Sequence, residues 1–167
     1  SFRNFIIKFF LGVMLFGFGL VYLVSLYTYS PNDPGFNQLN YNINGNEINN
    51  VLGFFGAYLS SYSLIFIGTF SYLLVFFIII EGSKNILGIK SRLIVLKFIA
   101  NLLGIILVNV SLQSLDVSFI QRGLISKFIV DIFSSINISF LESIFFYYSL
   151  NILIFIFGIV LILLSFK

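Results

Sequence analysis

Residues 9–29 read FFLGVMLFGFGLVYLVSLYTY, a run from Phe9 to Tyr29 without a single charged side chain. A helix rises about 1.5 Å per residue, so this run reaches across the roughly 30 Å of a bilayer's hydrocarbon. A secretory signal would carry an apolar core of about 7–15 residues followed by a small-residue cleavage site. This run is longer, and it ends in Ser30-Pro31-Asn32-Asp33-Pro34-Gly35, which is dense turn chemistry.

Three further uncharged stretches follow, Ile48 to Ile80 (33 residues), Phe98 to Leu115 (18 residues) and Ser143 to Phe166. Over the whole chain of 167 residues, 59% are hydrophobic and 9% charged. The mean hydropathy is +1.09. A soluble domain carries about a quarter charged residues, enough to cover its surface, so a soluble globular fold is excluded. The chain is expected to be all-α, a polytopic membrane four-helix bundle spanning about 9–29, 54–79, 94–115 and 144–166. The first turns of the second stretch, around Asn49, Asn50 and Gly53, are expected in the interface.

Lys and Arg orient the spans. Arg3, Lys8, Lys84, Lys90, Arg92, Lys97 and Lys167 fall on one side of this layout, and only Arg122 and Lys127 on the other. By the positive-inside rule both termini are cytoplasmic, with a cytoplasmic loop at 81–93 and an outer loop at 30–50. The second outer connection, 118–136, is expected to be an amphipathic helix. Ile120, Leu124, Ile125, Phe128, Ile129, Ile132 and Ile136 recur at helical spacing, opposite Arg122, Ser126 and Asp131. It lies on the outer leaflet or caps the bundle. Ser1 in place of Met, and Lys167 directly after an apolar run, make the sequence read as a piece of something longer.

Composition also closes off most chemistry. With no Cys and no His, disulfides, thiolate or imidazole metal sites and His- or Cys-based catalysis are excluded. Gly82-Ser83-Lys84 is the nearest approach to a phosphate loop, but it lacks the upstream glycine and the following Ser or Thr. No catalytic, cofactor or metal residues are assigned, and neither DNA nor nucleotide is an expected ligand. The net charge of +3 is small and scattered. Within the spans the strongest polar groups are Asn101, Asn109 and Asn151, read first as helix-packing residues. Asn151, Gly158 and Ser165 recur by sevens, and Gly53, Gly56, Ser60, Ser63 and Ser71 share one face of a continuous second helix. Such faces let helices approach closely.

Two segments together resemble the amino-terminal four-helix membrane domain of the FtsK/SpoIIIE-type DNA translocases. One is Ser25-Leu26-Tyr27-Thr28-Tyr29-Ser30-Pro31-Asn32-Asp33-Pro34, closing the first span. The other runs from Asn50 through Gly53, Gly56, Ala57 and Leu59 to Gly68 and Ser71-Tyr72-Leu73-Leu74. The sequence departs from the family pattern at Ser60-Ser61, where Ala-Asp is usual, and at Ile67, Ser71 and Val75, where Phe, Ala and Pro are common. Gly123-Leu124-Ile125 resembles a degenerate form of a further family element. The resemblance implies a multi-pass protein of the bacterial inner membrane at the division septum. Its membrane domain would anchor, localise and oligomerise a translocase acting in cell division and chromosome segregation, with the ATPase motor elsewhere. Membrane lipids, further copies through the full-length protein and septal division proteins would be its partners. Ser30, Pro31, Asp33, Pro34, Asn50, Gly53, Gly56, Ser60 and Gly68 carry the structural candidates, with Asn101, Asn109, Asn151 and Gly158 in the later spans. The rival reading is a small four-span transporter or channel subunit with a polar path through the three asparagines.

Overall fold

A computed structural model describes residues 2–36, 48–89, 93–115, 123–135 and 144–167. Six helices order the described chain: α1 (Phe2–Tyr27), α2 (Gly53–Phe66), α3 (Ser71–Ile86), α4 (Ile94–Ser114), α5 (Leu124–Ser135) and α6 (Ile144–Phe166). Among the described residues, three segments are long and apolar enough to cross a membrane, Phe5–Tyr27, Ile94–Ser114 and Phe146–Phe166. The expected outer loop lies outside the described residues at 37–47, as do the basic residues Lys90 and Arg92 and the ends of the expected amphipathic helix at 118–122 and 136.

The continuous helix expected over 54–79 is not formed. It breaks at Ile67-Gly68-Thr69-Phe70, giving α2 and α3. Gly68 has a φ of 83°, a left-handed geometry that a glycine adopts without the cost of a Cβ. The carbonyl of Ile67, at the end of α2, accepts a bond from Asn109 Nδ2 at 2.9 Å. The N–H of Ser71 then restarts the chain by donating to Gly68 O at 3.0 Å, and its hydroxyl donates to the same oxygen at 2.7 Å. A second correction follows at the other end of α3. Glu81, Gly82, Ser83 and Lys84, expected in a cytoplasmic loop, form its last turns. Gly88, with a φ of 71°, ends the helix as Ile89 N–H donates back to Lys84 O at 2.8 Å.

The described residues group into two compact units, Ser1–Ser63 with Tyr72–Ile94, and Leu64–Ser71 with Val95–Lys167. In the first, α1 and α3 are antiparallel neighbours along most of their length. Gly12 lies against Gly82 and Ile86, Gly19 against Ile79, and the Tyr72 hydroxyl donates to Leu26 O at 3.0 Å. The helix α2 runs differently. Gly56 O accepts from Ser25 Oγ and Ser63 Oγ accepts from the Tyr22 hydroxyl. The helix α2 therefore packs against the last turns of α1.

In the second unit α4 and α6 are antiparallel. Asn101 Nδ2 donates to Ser165 Oγ at 2.9 Å, Ser111 Oγ to Asn151 O at 2.8 Å, and the Tyr147 hydroxyl to Ser114 O at 2.8 Å. Asn151, Gly158 and Ser165 are all buried. The amphipathic helix is present as α5, but its buried residue is Ser126, from the face expected to be polar. Leu124, Phe128 and Ile132 of the apolar stripe stay exposed. The reason lies just before the helix, where a Cβ on Gly123 would overlap the backbone of Phe66 and Ile67. Small residues allow that approach, so the helix presents its small side to the protein and leaves its large side chains outside.

Candidate functional site

A long helix in a membrane leaves its last carbonyls without intrahelical donors, and here one side chain from a distant segment supplies them. Asn50 Nδ2 donates to Ser25 O at 2.9 Å and to Thr28 O at 3.3 Å, closing the end of α1. The same side chain accepts at Oδ1 from Leu52 N–H at 3.1 Å, while its backbone carbonyl accepts from Gly53 N–H at 2.8 Å. It thus opens α2 as well. Gly53 is there for its φ of 62° and not for packing, since a Cβ on it would meet nothing within 4 Å.

Asp33 holds Asn50 in place. The turn after α1 folds as Asp33 N–H donates to Ser30 O at 3.2 Å, with Asn32 N–H on the Ser30 hydroxyl at 3.3 Å. The carboxylate is buried and accepts from Asn49 N–H at 2.8 Å, Asn49 Nδ2 at 3.1 Å and Asn50 N–H at 2.8 Å. Pro34 is buried beside it, while Pro31 stays exposed. A carboxylate taken from water is tolerated when donors of this kind satisfy it, and charge-assisted bonds are the stronger sort.

The adjoining face of α2 is built from Gly56, Ala57, Ser60, Ser61 and Ser63, all buried. A Cβ on Gly56 would overlap Asn50 Oδ1, so only glycine leaves room for the cap. Ser60 Oγ donates to Gly56 O at 2.7 Å, keeping its hydroxyl on its own helix. Ser61, at a position where the family pattern has a carboxylate, still acts as an acceptor for Phe36 N–H at 3.1 Å, with Gly35 pressed against its side chain. Ser71, grouped with this face on the assumption of a continuous helix, is instead at the start of α3, because the break at Gly68 shifts its phase.

The asparagines of the later helices take part in packing. Asn109 Nδ2 caps Ile67 O and also bonds Ile105 O, and Asn151 Nδ2 bonds Tyr147 O at 3.0 Å. The oxygens Asn101 Oδ1 and Asn109 Oδ1 are buried without a donor. Gly104 and Gly158 mark the closest crossing, where a Cβ on Gly104 would stand 2.7 Å from Gly158 O. Sequence reasoning missed Gly104, and it missed the matching contact in the first unit, where a Cβ on Gly82 would stand 2.6 Å from Phe16 N. Glycines spaced by seven on α1 (Gly12 and Gly19) were the available signal. It also missed Glu81, 1% exposed and paired with Lys84 at 2.8 Å, because a carboxylate beside a basic run reads as a loop. Among the described residues no three His, Cys, Asp or Glu side chains gather into a metal site.

Of the two segments on which the resemblance rests, the geometry joins Ser25–Pro34 to the opening residues, Asn50–Ala57, of Asn50–Leu74 in one hydrogen-bonded cluster. A family model of the 4TM region of DNA translocase FtsK/SpoIIIE matches residues 6–166. The chain belongs to that family. No curated protein and no solved structure matches it. The FtsK/SpoIIIE 4TM region is a membrane domain without catalytic function, the ATPase motor being a separate domain. In this member of the family the Asp33–Asn50 cluster fastens the end of one membrane helix to the start of the next segment.

Proposed function

We propose that this chain anchors an FtsK/SpoIIIE-type DNA translocase in the bacterial inner membrane, places it at the division septum and provides helix surfaces for its assembly. Helices α1, α3, α4 and α6 cross the bilayer, and both termini face the cytoplasm. The second crossing is then α3, which runs beside α1 from Gly12 to Leu26. This reading is supported chiefly by the Asp33–Asn50 cluster, in which both family segments are engaged in holding helices and turn, leaving their polar groups committed to architecture. The seven-to-two distribution of basic residues supports the orientation. A transporter or channel is not favoured, because the amide nitrogens of Asn101, Asn109 and Asn151 each bond another helix, a helix end or their own helix.

Two fusions test the proposal. A fluorescent protein joined after Lys167 should collect at the division site of growing cells without the motor attached, and uniform membrane fluorescence would sink the septal role. Reporters of membrane side, placed after Lys167 and at Phe36, should show opposite activities. The same side for both would overturn the topology.

A further inference from the structure

The large exposed side chains of α2 are Phe54, Phe55, Tyr58, Tyr62 and Phe66, with no aliphatic residue among them. At about 100° per residue they fall within roughly a third of the helix circumference. The opposite side is the Gly56, Ser60 and Ser63 face that meets α1. Tyr58 and Tyr62 stack with ring centroids 6.2 Å apart, and Phe36 meets Tyr62 edge-on at 6.1 Å. On α6, by contrast, the exposed stripe is mostly Ile and Leu: Ile152, Leu153, Ile156 and Leu163, with Phe157. Hydrocarbon accepts the phenylalanines as readily as the aliphatic set, but the hydroxyls of Tyr58 and Tyr62 favour the level of the lipid headgroups. Asn50, just before α2, bonds Ser25 O and Thr28 O, and Tyr72, just after the start of α3, bonds Leu26 O, so the chain enters α2 and resumes after it at the end of α1 and not farther down the span.

We infer that α2 is an interfacial helix lying in the plane of the outer leaflet, and that its aromatic shelf of Phe55, Tyr58 and Tyr62 seats on the glycerol and headgroup region of phospholipids. The inference rests on the membrane placement proposed above, with α3 as the crossing. It gives the 33-residue uncharged stretch two jobs, a shelf along the surface and a span beneath it. Anchoring at that level would hold the Asp33–Asn50 cluster at a defined depth, since Asn50 opens α2.

The chain has no Trp, so single tryptophans report depth without background. Phe55→Trp, Tyr58→Trp and Tyr62→Trp keep the aromatic character of the shelf. Phe76→Trp, at an exposed position of α3, marks the membrane interior. Each variant is reconstituted in phosphatidylcholine vesicles whose lipids carry bromines either near the glycerol or near the acyl-chain end. The shallow quencher is expected to be the stronger at all three α2 positions, with equal shallow-to-deep ratios, and the weaker at Phe76→Trp. A ratio drifting steadily from Phe55 to Tyr62 would mean a descending helix, whose depth changes by about 10 Å over those residues, and would overturn the inference. Quenching by aqueous iodide alone would overturn it too, as would protection from every quencher, the mark of a protein partner on the shelf. Failure of Phe76→Trp to respond to the deep lipid would instead remove the membrane placement itself.

Discussion

The turn at Asp33 and the crossing at Gly104 solve the same problem by different physics. Between helices in lipid there is little hydrophobic gain, because acyl chains are as apolar as leucine, so contact must come from polar bonds or from shape. At the turn, one buried carboxylate and one amide gather six hydrogen bonds with backbone and side chain, across segments separated in sequence. At the crossing, two glycines let the backbones close to contact, with the side chains of Val108 and Ile162 packed against them. The first arrangement specifies which segment meets which; the second only requires that nothing protrudes. Charge should therefore matter most at the turn and volume most at the crossing.

The largest effect is expected from Asp33→Ala. It strands the donors of Asn49 and Asn50 and should cost about 3 kcal/mol or more, seen as loss of the folded form in thermal melts in detergent. Asp33→Asn keeps an acceptor and should lie between the two; a melt identical to the parent for Asp33→Ala would show that the cluster contributes nothing. Next comes Gly104→Leu, whose side chain must enter the space of Gly158 O and Ile162 N, at a cost of about 1–3 kcal/mol. Gly17→Leu is the matched control, since nothing stands within 4 Å of a Cβ there, and its melting temperature should be unchanged or slightly higher. Equal losses at both glycines would rule out the crossing as the cause. The smallest change is expected from Asn101→Leu. It gives up the bond to Ser165 but also removes a buried oxygen that has no donor, so the net shift should stay within about 0.6 kcal/mol. A large loss would mean that the unpartnered oxygen takes part in holding the helix pair.

Much of this was legible from residue order. The uncharged runs locate α4 and α6 within a few residues, and Ser30-Pro31-Asn32-Asp33-Pro34 marks the end of the first helix, which begins at Phe2, seven residues before its uncharged run. The Asn151, Gly158 and Ser165 spacing identifies the side of α6 that is buried. What escaped is instructive. Gly68-Thr69-Phe70-Ser71 contains a helix stop and restart, yet its neighbours are apolar on both sides, so the hydropathy of the run gives no sign of it. The break is completed by Asn109, a residue more than forty positions away. Asp33 could be read as a local cap, but its actual donors come from Asn49 and Asn50.

Sequence by itself determined the solvent in which this protein folds, the absence of His- and Cys-based chemistry, and the asymmetry of basic residues, because each depends only on which side chains are present and in what order. Tertiary structure decided which part of the long apolar stretch lies beside α1, which side of α5 faces the protein, and that the two family segments meet. An uncharged apolar stretch reads alike whether it forms one continuous helix or two. The division into α2 and α3 is made by the left-handed turn at Gly68 and by a distant amide that satisfies the freed carbonyl, and the packing by glycines that let backbones close to contact.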